Sequence, residues 1–158
     1  MANPESVEEI LQSAIGKEIE ANVFYNLLSQ YVQNPQIRDL CGEFATEELE
    51  HKAKLELELM KLGKVVTPNS SYNKSFVRPL DYMVDMSKIL QMDYKELLLA
   101  AMKKEKASFK LYIELIPTVT NQSLRDVLME LAEEEARHKI SFEIEYNLFI
   151  NDKKQTSE

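Results

Sequence analysis

The amino-acid sequence predicts an all-α protein, a four-helix bundle with one long crossover between its second and third helices. Three observations lead there. Only three Gly and five Pro are spread through 158 residues, so few positions can interrupt a helix. Apolar residues recur at helical spacing over four stretches of roughly 23 to 29 residues, and nothing reads as a sustained strand. Segments 87 residues apart match one another, as a duplicated helical hairpin would.

Length and composition set the frame. The 158 residues are expected to form a single domain, 1–158, and folding at this size hides roughly 70% of the extended chain's surface. With 44% hydrophobic and 29% charged residues the chain is too apolar to be disordered. Its 19 basic and 27 acidic residues give a net charge of −8 without any Lys/Arg block, so neither nucleic acid nor an anionic membrane is an expected partner. One cysteine, Cys41, excludes a disulfide framework and any four-cysteine metal site within the chain. Glu5, Glu8 and Glu9 stand where a signal peptide needs basic and then apolar residues. The longest apolar run, Leu97 to Met102, is far short of a membrane span, and a cytoplasmic location is expected.

Each element has its own local warrant. Ser6 with Glu9 reads as a capping box opening the first helix, whose apolar stripe Ile10, Ala14, Ala21, Tyr25 and Leu28 runs to about Tyr31. Asn34-Pro35 offers an N-cap and a Pro at the first position of the second helix, which ends near Gly63. Asp93 with Glu96 is a second capping box, and Pro117 stops the third helix. Asn121 opens the fourth, expected to run to about Ile150 before the polar tail 151–158. The helical hairpins are thus expected at 7–62 and 94–150.

Residues 64–92 are too many for a hairpin turn and enough to travel the length of the bundle, with a short helix expected from Pro79 to Leu90. One long crossover between two tight hairpins is a ferritin-like topology.

The internal repeat points to a site. Asn34, Arg38, Asp39, Glu43, Ala45, Glu47, Glu48, His51 and Lys52 match Asn121, Arg125, Asp126, Glu130, Ala132, Glu134, Glu135, His138 and Lys139, nine identities in the nineteen positions 34–52. Glu18 and Tyr25 match Glu105 and Tyr112 in the same register. Glu18 and Glu48 are equidistant from residue 33, and Glu105 and Glu135 from residue 120, both inside predicted turns. Residues equidistant from an antiparallel turn lie at one height, so each half sets two Glu side by side at mid-helix. Glu48 with His51, and Glu135 with His138, are three apart and share a helix face, on stripes that also carry Phe44, Leu55, Leu131 and Phe142. In a Glu-rich chain one Glu-x-x-His is weak evidence. Both histidines having it, with two more Glu at matched heights and apolar flanks, is a coherent constellation.

Four carboxylates and two imidazoles at one level of an apolar bundle are costly alone, because like charges this close force some carboxyls to stay protonated. Two divalent cations would cancel the four negative charges. Oxygen and imidazole ligands without thiolate favour iron or manganese, and ligand type alone also admits zinc.

Glu18, Glu48-x-x-His51, Glu105 and Glu135-x-x-His138 resemble the ligand set of the ferritin-like di-iron carboxylate proteins, most closely the rubrerythrin family. Lys17-Glu18-x-x-Ala21-x-x-x-Tyr25 is similar to the first-helix pattern of rubrerythrins. The resemblance implies Glu18 and Glu105 as terminal ligands, Glu48 and Glu135 as bridges, and His51 and His138 as one nitrogen ligand per iron. Ser108 stands where rubrerythrins usually carry a further Glu, and the two Cys-x-x-Cys pairs of a rubredoxin module are absent. Leu49 occupies the place of the bacterioferritin haem ligand, a Met.

Tyr25 and Tyr112 lie two turns past Glu18 and Glu105 on the same face, leaning back toward the site, where each is expected to hydrogen-bond a ligand carboxylate on a facing helix. Cys41 reads as a small core residue. Glu134 reads as a solvated neighbour of Glu135, with an extra metal ligand as its other role. The resemblance implies an oxidoreductase that reduces hydrogen peroxide or dioxygen at a di-iron centre, re-reduced by a separate carrier such as a rubredoxin. An iron-binding ferroxidase of storage type and a dimanganese catalase are the alternatives. Apolar Val65, Val66, Phe76, Tyr82 and Met83 in the crossover lead to the expectation of a homodimer.

Overall fold

The computed structural model describes residues 4–64 and 88–156. Helix α1 spans Pro4–Tyr31, α2 Pro35–Lys61, α3 Tyr94–Leu115 and α4 Gln122–Thr156, with a 3₁₀ turn Ile116–Thr118 between the last two. No strand occurs among the described residues, and none of their helices is long and apolar enough to cross a membrane. The fold is an all-α, ferritin-like helical bundle.

Local chemistry sets most of the ends. The Asn34 side chain accepts from the backbone N–H groups of Gln36 at 3.0 Å and Ile37 at 3.2 Å, with Pro35 at the first helical position, where a missing N–H costs nothing. Gly63, at φ 79°, ends α2: its N–H reaches the Met60 carbonyl at 2.9 Å, and that of Lys64 reaches Leu59 at 3.2 Å. This pair of bonds satisfies carbonyls the helix leaves open, and the left-handed backbone suits glycine. Asp93 caps α3 by accepting from the Glu96 N–H at 2.8 Å, and Asn121 caps α4 through Leu124 at 3.0 Å.

Two expected ends shift. Helix α1 begins at Pro4, so Ser6 lies inside its first turn rather than at the cap; a proline needs no N–H partner there. Helix α4 continues to Thr156 instead of stopping near Ile150, making it 35 residues long. Its last turn carries Lys153 and Lys154, cations suited to the negative end of the helix, and Lys153 Nζ lies 4.9 Å from the Phe149 ring. Of the helix expected over 79–90 only the end is described, as a helical turn at 88–91; the rest, with the apolar crossover residues, lies outside the described residues.

Contacts between hairpins fix the topology. On α1 and α3, Glu18 meets Tyr112 and Tyr25 meets Glu105, so numbers rise on one helix as they fall on the other. On α2 and α4, Glu47 meets His138, His51 meets Glu134 and Lys54 meets Glu130 in the same opposed sense. Both pairs are antiparallel, which makes α2 and α3 parallel. The end of α2 and the start of α3 therefore lie at opposite ends of the bundle.

The core is split in two. One apolar cluster, at the end holding the α1–α2 turn, contains Leu28, Phe44, Leu98 and Phe142; the other, at the α3–α4 turn, contains Leu11, Leu59, Leu124 and Leu128. Near the second cluster Glu58 is buried, accepting from Lys61 Nζ at 3.0 Å and Ser123 Oγ at 3.2 Å, which ties the end of α2 to the start of α4. Because the clusters lie at opposite ends, Leu28→Ala and Leu128→Ala should each cost about 2–5 kcal/mol. Urea unfolding of the double variant should give the sum of the single losses within about 0.5 kcal/mol; a clearly smaller combined loss would show that the clusters are one unit.

Candidate metal centre

Between the apolar clusters, every helix turns an ionisable side chain inward. Glu18 comes from α1, Glu48 and His51 from α2, Glu105 from α3, Glu135 and His138 from α4, and none is more than 1% exposed. They form two groups, Glu18, Glu48, His51 and Glu135 in one, Glu48, Glu105, Glu135 and His138 in the other. Within each group one donor atom per residue lies within 4.8 Å of all the others. Glu48 and Glu135 belong to both, so the groups abut with two carboxylates shared between them.

Both imidazoles turn Nδ1 toward this space. His51 Nδ1 is 2.9 Å from Glu135 Oε1, 3.4 Å from Glu18 Oε2 and 3.8 Å from Glu48 Oε2. His138 Nδ1 is 3.1 Å from Glu48 Oε1 and 3.3 Å from Glu105 Oε1. One of these contacts, His138 Nδ1 to Glu105 Oε1, is a hydrogen bond; the others leave their atoms unsatisfied. Both oxygens of Glu48, one each of Glu18, Glu105 and Glu135, and His51 Nδ1 have no aligned hydrogen-bond partner despite burial. Orphaned buried polar atoms are rare in native proteins, and here they converge on one interior space.

The tyrosines are exchanged between hairpins. Tyr25 of α1 donates to Glu105 of α3, and Tyr112 of α3 donates to Glu18 of α1. Each phenol occupies one oxygen of its carboxylate and leaves the other facing the centre. Both phenols are fully buried, and burial, with the carboxylates Glu105 and Glu18 as the next cause, holds their pKa well above the ordinary value, so they remain donors.

Glu134 fits neither sequence expectation. It is half-buried, and its carboxylate bonds Nε2 of His51, on the side of the ring away from the centre. Glu47, which the sequence reading passed over, does the same to Nε2 of His138. A signal existed: Glu47 and Glu134 are matched positions of the repeat. Ser108 is absent from both donor groups and lines a cleft of about 680 Å³ beside α1 and α3. Cys41 sits fully buried in the first cluster, where burial pushes its thiol up to about 12 and keeps it neutral.

Electrostatics reflect the crowding. Burial, followed by the charge of Glu18, raises Glu48 well above the usual carboxyl range, and burial with the charges of Glu18 and Glu105 does the same to Glu135. Burial opposes ionisation of Glu18, but the adjacent Glu48 and His51, with the Tyr112 hydroxyl, outweigh it and hold that carboxyl below its ordinary value. Burial also opposes charge on His51, yet Glu135 and Glu18 raise it to about 11.

Comparison with known proteins agrees with this arrangement. Residues 9–146 match the family described as Rubrerythrin. A solved structure titled Hypothetical Protein Pfu-1136390-001, from Pyrococcus furiosus, superposes with a TM-score of 0.68 at 26% identity over 91% of this chain and 90% of that one. No curated protein matches. With the match covering all four helices and the whole of the buried centre, the chain belongs to the rubrerythrin family, within the ferritin-like di-iron superfamily.

Proposed function

We propose that the protein is a di-iron oxidoreductase that reduces hydrogen peroxide, with dioxygen as a second oxidant, using electrons from a separate carrier such as a rubredoxin. The observation that carries this reading is the pair of buried donor groups sharing Glu48 and Glu135, with unsatisfied oxygens aimed into one space. Those donors fit two cations: Glu18 and His51 would hold one, Glu105 and His138 the other, and Glu48 and Glu135 would bridge them. Four carboxylates balance two divalent ions, and the all-oxygen-and-imidazole set suits iron, with manganese the nearest competitor. When bound, two ferrous ions supply the two electrons that cleave the O–O bond, and two protons complete two waters.

The chain's own residues set the conditions. Tyr25 and Tyr112 fix Glu105 and Glu18 so that one oxygen of each faces inward. Apolar clusters on both sides keep bulk water from the centre. Cys41, neutral and within the core, takes no part.

Three measurements test the reading. Metal analysis should find two ions per chain, and Glu48→Ala or Glu135→Ala should lose both, because each removes a shared ligand; two tightly held ions in the double variant would refute the assignment.

Chelation should lower the melting temperature, since cations bind the folded chain and not the dispersed ligands. Glu48 and Glu135 titrate above the ordinary 4.5 when folded, and His51 at about 11 against 6.5, so the apo fold binds extra protons and loses stability as pH rises from 5 to 8. Glu18, shifted down, matters only below that window. The drop on chelation should therefore be larger at pH 8, on the order of 10 °C, than at pH 5. Equal drops at both would contradict close-packed carboxylates.

To separate turnover from storage, ten equivalents of Fe(II) are added per chain under peroxide, and protein-bound iron is counted after gel filtration. Two irons per chain, re-reducible through repeated peroxide cycles by added rubredoxin, is the expected result. Retention of nearly all ten would make the protein an iron store, and sustained peroxide loss without any reductant would make it a catalase.

A further inference from the structure

Folding gathers lysines around α3. The helix itself has five Lys to three Glu, and one of those Glu is the buried Glu105. The cleft of about 680 Å³ beside α1 and α3 is lined by Lys17, Lys88, Lys103, Lys104 and Lys110, against two acidic residues, Glu20 and Glu114. Its apolar floor includes the buried Ala21 and Phe24. Across α3 the basic surface continues into a second groove, where Lys106, Lys110 and Lys139 border Phe109, Ile113 and Ile140. Ile113 and Ile140 are 46% and 54% exposed. The chain as a whole carries a net charge of −8, so this face has the opposite character to the rest.

We infer that this face of α3 is the docking surface for the external electron carrier, and that the carrier is a small acidic redox protein. The inference rests on the reductase reading above. A net negative chain repels an acidic partner at long range, and a lysine-ringed patch locally reverses that repulsion, which fixes orientation as well as partner. Apolar ground inside a charged rim is the make-up of a protein interface, and redox encounters stand at the small end of that range. The basic surface spans grooves on both sides of a helix, more than a small molecule covers. None of the six inward donors lines the cleft, so an occupant stops short of the centre. An electron needs no opening. Phe24 in the floor packs on Tyr25 at 5.2 Å between ring centroids, and Tyr25 bonds Glu105. Lys104 Nζ, 4.9 Å from the Phe24 ring centroid, sets a cation over the same spot. Each docking passes one electron and leaves the carrier oxidised by one; two dockings return the two electrons that the O–O bond takes, and the two protons come from solvent.

The test uses the metal-loaded protein and an acidic rubredoxin. Zinc-substituted rubredoxin passes no electron and so isolates binding. Followed by NMR, it should bind the wild-type protein and lose affinity about tenfold or more as NaCl rises from about 20 to about 200 mM. The triple variant Lys103→Glu/Lys106→Glu/Lys110→Glu should weaken binding by about tenfold or more, and the matching Gln set by less but in the same direction. Lys64→Glu, past the end of α2, should change it by less than about threefold. Re-reduction of the peroxide-oxidised protein by reduced iron rubredoxin, in stopped flow at sub-saturating carrier, should slow in step with affinity. No binding to wild-type protein at low salt, binding unchanged in the Glu set, or an equal loss in Lys64→Glu would overturn the docking surface. Weakened binding with unchanged re-reduction would overturn it too. A Glu set that changes the oligomeric state in light scattering would give the face to a second copy of the chain, again overturning it. Wild-type protein whose iron does not cycle between peroxide and dithionite would instead refute the reductase reading, and the zinc-rubredoxin titration would still decide the surface.

Discussion

Two apolar clusters close the ends of this bundle, and in the space between them four carboxylates face two imidazoles, all six side chains buried from solvent. Coulomb repulsion among the carboxylates is the quantity that everything nearby has to manage. Burial strengthens it, since the interior screens charge poorly. The tyrosines, the outer carboxylates and the opposed helix directions all serve to hold that repulsion in one geometry, one that two cations would neutralise. A bundle with the same helices and leucines at these positions would be easier to fold and would have nothing to do.

The arrangement also explains the split core. Apolar side chains cannot share a level with the charged layer, so they gather above and below it as separate clusters. Phe44 and Phe142 sit at the boundary, their rings packed against each other 5.4 Å apart, with Phe44 also against His138. They are where the hydrophobic effect hands over to electrostatics.

Much of this was legible in the sequence, for reasons that are geometric. Asn34, Asp93 and Asn121 mark helix starts because a short polar side chain bonds a backbone N–H two or three residues on, a purely local event. The six inward donors were legible because a spacing of three defines a helix face and equal distance from a turn defines a height. The ends of the outer helices were not. A polar stretch such as 151–156 is compatible with an exposed helix as well as a tail, and polarity alone does not choose. Glu47 and Glu134 were hidden for a different reason. Their role depends on how an imidazole on another helix is rotated, and residue spacing carries no information about a side-chain dihedral. Glu58 is similar: its burial follows from where Ser123 arrives across the bundle.

The contacts at the centre obey one rule applied twice. Each of these hydrogen bonds from one hairpin to the other has a counterpart in return: Tyr25 to Glu105 and Tyr112 to Glu18, Glu134 to His51 and Glu47 to His138. The interior therefore has an approximate dyad axis passing between the imidazoles, whose planes differ by only 15°. The rim does not share it, since Arg137 corresponds to Glu50 and Lys54 to Ser141. One hairpin, read twice, encodes a chemically symmetric pair of positions. Single substitutions at the periphery then make the pair unequal when approached from outside, while its two members remain equivalent as seen from within.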